Sequence, residues 1–579
     1  MESRLALSMA HPIDEPSPEE PSARPPAILT AMALPGSRVR GLAALVLAAV
    51  AAAAAAIPAP ASAQDRPPGI YVSDLRRLDR HTAYLTFDDG PGAWTAPVLD
   101  ALRAARAKAT FFVCAHANDA AKDPDRRGLA PYRAELLRMI DEGHAIGNHT
   151  ASHADLAGLT EEAVARELDS NQEELDAVLA AAGRAPYHMG LIRPPHGSPY
   201  MKGGRSAAAS AALAARGVVA LWNVDSTDSW EWAPGDWLEP GRGAGNEFHD
   251  PTRPEFRARA DAVASAVLAE ADGRGIVVLF HDTHATTREA LPSILAELGK
   301  RGYRFETLER LWLQALVYGR ARKVAGDLGA RATGLAAAGE RGPVYVAVAG
   351  EGEGEGAGEG ERDRILVWSG ARTSKLREPA GGAAGLAIEP GGGLIVCERV
   401  GARVTRLEPG GRVVVLADAY EGRPLGAPAD VVLDGRGGLY FSDARGGAVY
   451  RIPPPLSGGP TRVAQGLDRP SGLALAAGRL FVAEEGAGRV LAYPVRVDGA
   501  LGDPAPFARG SGGGMAVDRQ RNLYVPVAEG IAVLARDGRR IGTIEVPERP
   551  AACRLAGKRL HIAAGASLYA VDMAVSAPD

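Results

Sequence analysis

The chain has few cysteines and no strong excess of charge of either sign. Its 579 residues include three cysteines, which lie far apart and show no CxxC spacing. This excludes a disulfide framework and a thiolate metal site. Because each cysteine lies in an apolar run, we expect Cys114, Cys397 and Cys553 to be buried free thiols. The formal net charge of -5 is small for this length, so no nucleic-acid partner is expected.

Long apolar runs are also scarce, and the one near the N-terminus is short and Ala-rich for a stable membrane span. It covers residues 41–57, follows two arginines, and is followed by Ala61-Ser62-Ala63. A basic flank, a short apolar core and an Ala-x-Ala site are the parts of a secretory signal. We predict a signal peptide over residues 32–63, cleavage after Ala63, and export to a periplasm or the cell exterior. An uncleaved anchor is the alternative; once the signal is cleaved, no stable membrane span is expected.

The rest of the chain divides into two parts of different texture. Residues 78–316 alternate between apolar runs and amphipathic Ala-, Glu- and Arg-rich stretches. This alternation predicts a parallel sheet with helices outside, open or closed into a barrel. Around it we predict a disordered region or mis-assigned start over residues 1–31, with Met32 as the true start, and linkers over residues 64–77 and 317–330.

From about residue 326, short β runs separated by Gly-rich turns repeat in six copies. The copies begin near Leu335, Leu386, Val431, Leu473, Met515 and Cys553. A period of roughly 40–50 residues is typical of propeller blades. We therefore predict a six-bladed β-propeller over residues 331–575, with an irregular β-sandwich as the alternative.

Two adjacent carboxylates follow the first predicted strand. Asp88 and Asp89 come directly after the apolar run 83–87 and before Gly90-Pro91, which stops regular structure. Neighbouring residues on an extended chain point to opposite sides. One carboxylate can therefore face a metal while the other faces a reacting water. A polar Asp-Asp-Gly turn at the end of a strand is the alternative.

His149 and His153 are the candidate partners of one of these carboxylates. The two histidines are four residues apart, so they would share one face of a helical turn. Two imidazoles and one aspartate leave room for a water, which is the ligand pattern of catalytic zinc. We expect a divalent metal, with Zn²⁺ favoured and Co²⁺ or Ni²⁺ also suited to these ligands.

Further polar residues follow the later predicted strands. Arg193 is suited to holding a catalytic carboxylate ionised. His281, at the end of the apolar run 276–280, is suited to donating a proton to a leaving group. Polar residues at successive strand ends predict an active site, because parallel β/α folds carry their chemistry there.

Five ordered motifs in this half, TFDDGP, HTASH, RPPHG, DSTDSW and LFHD, resemble those of the polysaccharide deacetylases, carbohydrate esterase family 4. The match covers about residues 78–316. The resemblance implies a distorted parallel (β/α) barrel and a metal-dependent hydrolase that removes acetyl groups from N-acetylated sugars. The substrate would be an N-acetylated glycan: a cell-wall, chitin-like or exported polysaccharide.

The resemblance also implies catalytic roles. Asp88 would be the general base and Arg193 would hold it. His281 would be the general acid, tuned by an aspartate for which Asp225 is a better candidate than Asp228.

Metal and substrate contacts follow from the same resemblance. His196 stands where the family often has Tyr, and its backbone N–H would serve the oxyanion. Trp230 and Leu279 would line the pocket for the acetyl methyl group. The implied metal ligands are Asp89, His149 and His153.

Residues 330–575 resemble the gluconolactonase/SMP-30-like six-bladed propellers. That family binds a divalent metal at the disc centre through Glu, Asn, Asn and Asp. The corresponding positions here are Thr333, Ala429, Ser471 and Gly513. Because Ala and Gly offer no side-chain oxygen, we expect this metal site to be lost. The propeller is then predicted to be a binding or scaffold module for a glycan or protein partner.

Two other functions remain as alternatives. A non-catalytic glycan-binding envelope protein would have no need of a general acid, so the complete set of motifs argues against it. A bifunctional deacetylase–lactonase would need the propeller ligands, so their loss argues against that second alternative.

Overall fold

The computed structural model of the protein describes residues 66–71, 75, 78–116, 128–201, 204–229, 253–350, 363–370, 372–510 and 512–578. The predicted start region, the predicted signal peptide and Trp230 lie outside these residues. The chain from Gln64 to Asp579 forms one unit, which holds both a barrel and a propeller.

The first half of this unit is built on a nine-stranded, all-parallel sheet. Its strands run in the order β1-β6-β5-β4-β3-β2-β8-β7, and β9 pairs with the start of β2. The bounds are β1 Gly69–Ile70, β2 Thr82–Asp88, β3 Ala109–Val113, β4 Ala145–Asn148, β5 Leu191–Ile192, β6 Val218–Ala220, β7 Val224–Asp225, β8 Ile276–His281 and β9 Arg304–Phe305.

The sheet curls into a distorted barrel. Strands β6 and β7 lie near opposite ends of the strand order, yet only a few residues of chain separate them, so the two ends of the sheet must lie close together. Leu221 N donates to Ile70 O (3.0 Å) and Asn223 N to Val277 O (3.2 Å). The connecting segment therefore bridges the two edges. The predicted (β/α) barrel is confirmed. Its helices are α1 Thr95–Ala104, α2 Arg133–Asp141, α3 Glu161–Ala181, α4 Ala207–Ala214, α5 Pro254–Ala269, α6 Ala285–Lys300 and α7 Glu309–Leu316.

The second half forms six four-stranded antiparallel blades. In blade order, from the innermost strand outward, the strands are β11 Ala332–Ala337, β12 Val344–Val348, β13 Arg364–Trp368, β14 Thr373–Arg377; β15 Ala383–Ile388, β16 Leu394–Glu398, β17 Arg403–Leu407, β18 Val413–Ala417; β21 Pro428–Leu433, β22 Leu439–Asp443, β23 Ala448–Ile452, β24 Thr461–Gln465; β25 Pro470–Ala476, β26 Arg479–Glu484, β27 Arg489–Pro494, β28 Ala505–Arg509; β29 Ala516–Val517, β30 Leu523–Val527, β31 Gly530–Leu534, β32 Arg540–Glu545; and β33 Pro550–Ala556, β34 Arg559–Ala564, β35 Ser567–Met573, β10 Val317–Ala325. A small hairpin, β19 Ala419–Tyr420 and β20 Arg423–Pro424, follows the second blade.

The blades close into a ring. The innermost strand of each blade contacts that of the next, and β33 of the sixth blade contacts β11 of the first. The six predicted copies begin in or next to these innermost strands, so the predicted six-bladed propeller is confirmed.

Both predicted linkers are wrong in part. Gly69–Ile70, inside the predicted linker 64–77, form β1 and pair with β6. Val317–Ala325, inside the predicted linker 317–330, form β10, which pairs with β35 and completes the last blade. The reason is that strands at a sheet edge take their stability from a partner far away in sequence, so their own composition does not mark them.

The barrel and the propeller share one hydrophobic core. Trp312 of α7 is buried in the same cluster as Leu191 of β5 and Ile544 of β32. A Cβ atom on Gly190 would lie 1.9 Å from the Trp312 ring, so only glycine fits there. The two halves are therefore packed against each other as one body.

All three cysteines are buried and free, as predicted. Among the described residues, no helix has the length and apolar character needed to cross a membrane.

Candidate active site

The two aspartates lie at the C-terminal end of β2, between β3 and β8 in the sheet. All seven residues of β2 are buried, as expected for a strand covered on both faces. Asp88 ends the strand, and Asp89 turns the chain with a φ of 68°. A Cβ on Gly90 would lie 2.2 Å from a carboxylate oxygen of Asp282, so glycine is required at this turn. The two carboxylates consequently have different neighbours.

Asp88 is held by a buried arginine. Arg193 Nη1 donates to Asp88 Oδ1 (2.9 Å) and to Thr86 Oγ1 (2.7 Å). The guanidinium lies 4.2 Å from the centre of the Phe112 ring. Burial lowers the pKa of Arg193, while the Asp88 carboxylate acts in the opposite direction. This pairing fixes the position of the Asp88 carboxylate.

Asp89 meets both candidate histidines. Its Oδ1 lies 3.2 Å from His149 Nε2 and 3.2 Å from His153 Nε2. One ligand atom from each of the three residues lies within 4.8 Å of the others. The spacing of the two histidines predicted a helical turn, and this prediction was wrong. They lie in the loop after β4, where left-handed residues at Thr150 (φ 68°) and His153 (φ 60°) turn the chain.

The proton positions in this cluster fit a bound cation. His149 Nδ1 lies 2.7 Å from the carbonyl oxygen of Arg193, and a carbonyl only accepts, so Nδ1 carries the proton. In the neutral imidazole the lone pair of Nε2 then faces Asp89 Oδ1, a buried atom that has no hydrogen-bond partner among the described residues. Two acceptors that face each other in a buried site are unfavourable unless a cation binds both. The three residues therefore fit a divalent metal.

The charges around Asp89 point the same way. Burial by itself raises the pKa of this carboxyl group, but the charge of the nearby His153 more than offsets it. The pKa of Asp89 is consequently held well below its usual range. An ionised aspartate and two imidazoles are suitable ligands for zinc.

His281 lies beside Asp88 on the neighbouring strand, since the two residues are paired in the register of β2 and β8. Its Nδ1 lies 2.8 Å from Asp228 Oδ1, and its backbone N–H donates to Asp228 Oδ2 (2.7 Å). Thr287 Oγ1 also donates to Asp228 Oδ2 (2.6 Å). Asp228 thus fixes both the ring and the backbone of His281.

The preference for Asp225 over Asp228 as the partner of His281 was wrong. Asp225 pairs with Leu279 in the sheet, two residues before His281. Its Oδ1 instead accepts from Thr227 N (2.8 Å). Only after the left-handed turn at Thr227 (φ 62°) does the chain bring Asp228 to the end of β8.

The His281–Asp228 pair is strongly polarised. Burial lowers the pKa of His281, but the Asp228 carboxylate outweighs this and raises it to about 10. Burial raises the pKa of Asp228, and His281 outweighs this in turn, leaving it at about 2. The pair is therefore an imidazolium and a carboxylate at neutral pH, and the free Nε2 can donate a proton.

Two of the three predicted substrate contacts lie within the described residues. His196 is exposed, and its ring centre is 4.9 Å from that of His153. Leu279 is 6% exposed and lies opposite Thr86 in the sheet. Trp230 lies outside the described residues.

Sequence reasoning missed the residues that hold the histidine loop. Glu167 of α3 accepts from Ser152 N (2.9 Å) and Ser152 Oγ (2.8 Å). Asn171 of the same helix donates to Asn148 Oδ1 (3.0 Å) and accepts from Ala115 N (2.9 Å). The available signal was Asn171 itself, a fully buried polar residue on the apolar face of an amphipathic helix.

Comparison with known proteins agrees with this geometry. The polysaccharide deacetylase family matches residues 76–215, and the SMP-30/gluconolactonase/LRE-like region matches residues 361–564. A peptidoglycan-N-acetylglucosamine deacetylase of Bacillus cereus is 30% identical over 228 residues, covering 39% of this chain and 69% of that protein. A chitooligosaccharide deacetylase of Bradyrhizobium sp. is 32% identical over 246 residues, covering 40% of this chain and 90% of that protein. The chain belongs to the polysaccharide deacetylase family.

The chain is therefore a carbohydrate deacetylase. The region that matches the family contains Asp88, Asp89, His149, His153 and Arg193. Asp228 and His281 come later in the chain, and their place in the site rests on the geometry above. The propeller of the deacetylase is similar to a gluconolactonase of Xanthomonas campestris, at 26% identity and a TM-score of 0.40, over 45% of this chain and 92% of that chain.

Proposed function

We propose that the deacetylase hydrolyses the acetamido group of N-acetylated sugars in a polysaccharide outside the cytoplasm, with a divalent metal held by Asp89, His149 and His153. The observation that carries the metal is Asp89 Oδ1, which lies 3.2 Å from His149 Nε2 and has no hydrogen-bond partner among the described residues. Zn²⁺ suits two imidazoles and a carboxylate, and Co²⁺ or Ni²⁺ suits them as well.

The surrounding residues divide the proton transfers of amide hydrolysis between them. A divalent cation bound at this cluster supplies a Lewis acid. Asp88, bonded to Arg193, accepts the proton of the attacking water as the water oxygen bonds to the acetyl carbon. His281, as the imidazolium paired with Asp228, donates a proton to the sugar nitrogen as the carbon–nitrogen bond breaks. The products are acetate and the free amine.

Other residues are proposed to contact the acetyl group of the substrate. Leu279 and Trp230 are proposed to line the pocket for the acetyl methyl group, and the backbone N–H of His196 to stabilise the oxyanion. The two relatives above are named for action on peptidoglycan and chitooligosaccharide. These names support a cell-wall, chitin-like or exported N-acetylated glycan as the substrate class. The signal-like residues 32–63 support export to a periplasm or the cell exterior.

The propeller is proposed to be a binding or scaffold module rather than a lactonase. Support comes from the residues at the four positions that carry the metal in the resembling family: Thr333, Ala429, Ser471 and Gly513, all of which line its central cavity. Two of the four have no side-chain oxygen, so oxygen ligation of a divalent metal there is weak.

Acetate release tests the proposal. The purified full chain is incubated with N-acetylglucosamine oligomers and with peptidoglycan, with and without a chelator, and lactone hydrolysis is followed in parallel. We expect acetate release that the chelator stops and added Zn²⁺ restores. Acetate release that persists after the metal is removed would contradict the metal role, and lactone hydrolysis would contradict the role given to the propeller.

Two variants separate metal binding from proton donation. Asp89→Asn should lose bound metal, measured by elemental analysis, together with activity. His281→Asn should keep the metal and lose turnover, because amide hydrolysis is slow unless the leaving nitrogen is protonated. Asp272→Asn and His81→Asn, at exposed positions, are the matched controls. Retained turnover in His281→Asn would exclude the acid role of this residue.

A further inference from the structure

A cavity of about 570 Å³ lies between the barrel and the propeller, and we call it the junction cavity. On the barrel side it is lined by Gln172 and Asp176 of α3 and by residues 185–188, which precede β5. On the propeller side it is lined by the fourth and fifth blades, with Phe507 and Arg536 among their residues. Its volume lies within the roughly 300–1,000 Å³ typical of pockets for small organic ligands. A molecule of that size would touch both halves of the protein.

The junction cavity is separate from the candidate active site and from the centre of the propeller. Tyr187 and His188 precede β5, whereas Arg193 follows it, so the cavity and the active site lie at opposite ends of this strand. In the fourth blade, Ala476 at the end of β25 lines the junction cavity, whereas Ser471 near the start of β25 lines the central cavity. A molecule bound at the junction would therefore not contact the proposed reacting groups.

Three arginines line the junction cavity: Arg479, Arg521 and Arg536. Their side chains form no hydrogen bond or ion pair with any residue that the structure describes. Arg536 is half-buried, and burial together with the neighbouring Arg521 lowers its pKa. Because charged groups away from water are normally paired, this position fits a bound anion.

The carboxylates of the lining equal the arginines in number but form no ion pair with them. Asp537 Oδ2 accepts instead from Arg539 Nε (2.8 Å). Asp176 Oδ1 accepts from Gln172 Nε2 (3.0 Å), and burial raises the pKa of this carboxyl group. The third carboxylate, Asp503, is exposed to solvent. The guanidinium groups of the lining are thus left without a direct counter-charge among the described residues.

His188 shows that the barrel side of the cavity is electrically positive. It is buried, and burial lowers its pKa well below the ordinary value. The nearby arginines, Arg536 first among them, lower this pKa further. The charges that act on His188 are therefore dominated by arginines despite the carboxylates in the lining.

The wall beside these arginines is apolar. Phe481 and Phe507 lie with their ring centres 4.8 Å apart, and Pro494 and Pro506 lie beside them in the lining. Phe507 is half-buried. An apolar wall favours contact with the carbon atoms of a ligand, since this removes apolar surface from water. An inorganic ion would leave this wall without a partner.

We propose that the junction cavity binds a small organic anion, whose carboxylate or phosphate group contacts Arg521 and Arg536 and whose apolar body packs against Phe507. Guanidinium groups bind carboxylates and phosphates through two parallel hydrogen bonds. The inference goes beyond the proposed hydrolysis and does not depend on it, because the cavity and the active site lie at opposite ends of the barrel.

Binding of phenyl phosphate to the full chain, measured by calorimetry, tests the site. Inorganic phosphate lacks the apolar ring and benzyl alcohol lacks the charge, so each should bind at least about tenfold more weakly. The affinity for phenyl phosphate should fall as salt is added. Benzoate in the same assay decides between a carboxylate and a phosphate as the preferred group. If neither phenyl phosphate nor benzoate binds, or if inorganic phosphate binds as tightly as phenyl phosphate, the proposal is wrong.

Variants assign the two parts of the ligand to their contacts. Arg521→Gln and Arg536→Gln should each weaken the binding of phenyl phosphate about tenfold. Phe507→Leu should weaken the binding of phenyl phosphate and leave that of inorganic phosphate unchanged. Arg509→Gln, at an exposed position of β28 outside the lining, is the matched control and should change neither. Equal affinity for phenyl phosphate in all four variants would contradict the proposal.

Amide hydrogen exchange locates the bound anion. His188 N donates to Asp537 Oδ2 (2.8 Å) across the junction, so phenyl phosphate should slow exchange in residues 187–189 of the barrel and 535–539 of the propeller. The Arg536→Gln variant should lose this protection at the same ligand concentration. Slower exchange only in residues 149–153 would overturn the proposal, since it would place the phosphate group at the proposed metal site.

Discussion

His281 depends on Asp228 for both its position and its charge. Asp228 bonds the ring and the backbone N–H of His281, and its carboxylate outweighs burial to raise the pKa of His281 to about 10. A group with a raised pKa is protonated below that pKa and loses its proton as the pH rises through it. The proposed acid is therefore active at neutral pH and is lost in alkaline solution.

Replacing Asp228 should move the alkaline limit of activity. In Asp228→Asn the carboxylate no longer opposes the effect of burial, so the pKa of His281 falls toward or below its ordinary value of about 6.5. The alkaline limb of the kcat/KM profile should shift to lower pH. Asp225→Asn is the matched control and should leave the limb in place, because Asp225 bonds Thr227 instead. An unchanged limb in Asp228→Asn would show that His281 is not the titrating acid.

Arg193 is the only described cation bonded to Asp88, and both side chains are buried. Arg193→Met should lower the free energy of unfolding by about 3–5 kcal/mol, because it leaves a buried carboxylate without its partner. Chemical denaturation of the metal-free protein measures this without interference from metal affinity. Asp88→Asn added to Arg193→Met should recover part of the loss. If the double variant is as unstable as the single one, packing against Phe112 rather than the charge pair stabilises this position.

At the scale of elements, α3 supports the proposed metal ligands without touching them. Its Glu167 carboxylate accepts three hydrogen bonds from Ala151 and Ser152, between the two histidines. Helix α3 begins at a capped N-terminus, where Thr160 Oγ1 accepts from Ala163 N and acidic residues occupy the first turn. The histidine loop is thus anchored to a stable helix.

Loss of this anchor should weaken metal binding. In Glu167→Ala the loop of residues 149–153 loses its tie to α3, and metal affinity should fall about 10–100-fold, as for other residues that orient metal ligands. A competition titration with a chromophoric chelator measures the affinity. Glu173→Ala, an exposed residue on the same helix, should have no effect. Equal affinities for the two variants would contradict the anchoring role.

At the scale of the whole molecule, Arg539 connects the propeller to the barrel. Its guanidinium bonds Asp537 Oδ2 (2.8 Å) in the propeller and both Glu309 Oε1 and His188 O (2.9 Å) in the barrel. It also lies 3.8 Å from the centre of the Tyr187 ring. Beside it, Gln520 Nε2 donates to Gly217 O (2.6 Å). These contacts join the propeller to the barrel in addition to the shared core at Trp312.

Removing Arg539 should weaken the coupling between the two halves. Arg539→Ala leaves the carboxylates of Glu309 and Asp537 without their cation, which should cost about 2–4 kcal/mol. Scanning calorimetry should show one cooperative transition in the native protein and a broadened or split transition in the variant. Arg540→Ala, which removes an exposed pair with Glu529, is the control. A single unshifted transition in Arg539→Ala would mean that the apolar core alone joins the two halves.

The two architectures, the six blades and the main residues of the candidate site can be predicted from the amino-acid sequence alone. Strand–helix alternation and the blade period are local patterns, and local patterns can be read along the chain. The site residues could be predicted in the same way, because parallel barrels carry their active sites at the ends of the strands. Each of these residues follows an apolar run that predicts a strand: Asp88, Asp89, His149, Arg193 and His281.

Only the tertiary structure decided which residues meet across long separations in sequence. It replaced Asp225 by Asp228, because the backbone turn at Thr227 cannot be read from composition. It made strands of residues in both predicted linkers, because their hydrogen-bond partners, β6 and β35, are more than a hundred residues away. It also gathered four arginines from three blades around one cavity. Such contacts depend on how whole elements pack, and no period or motif along the chain records them.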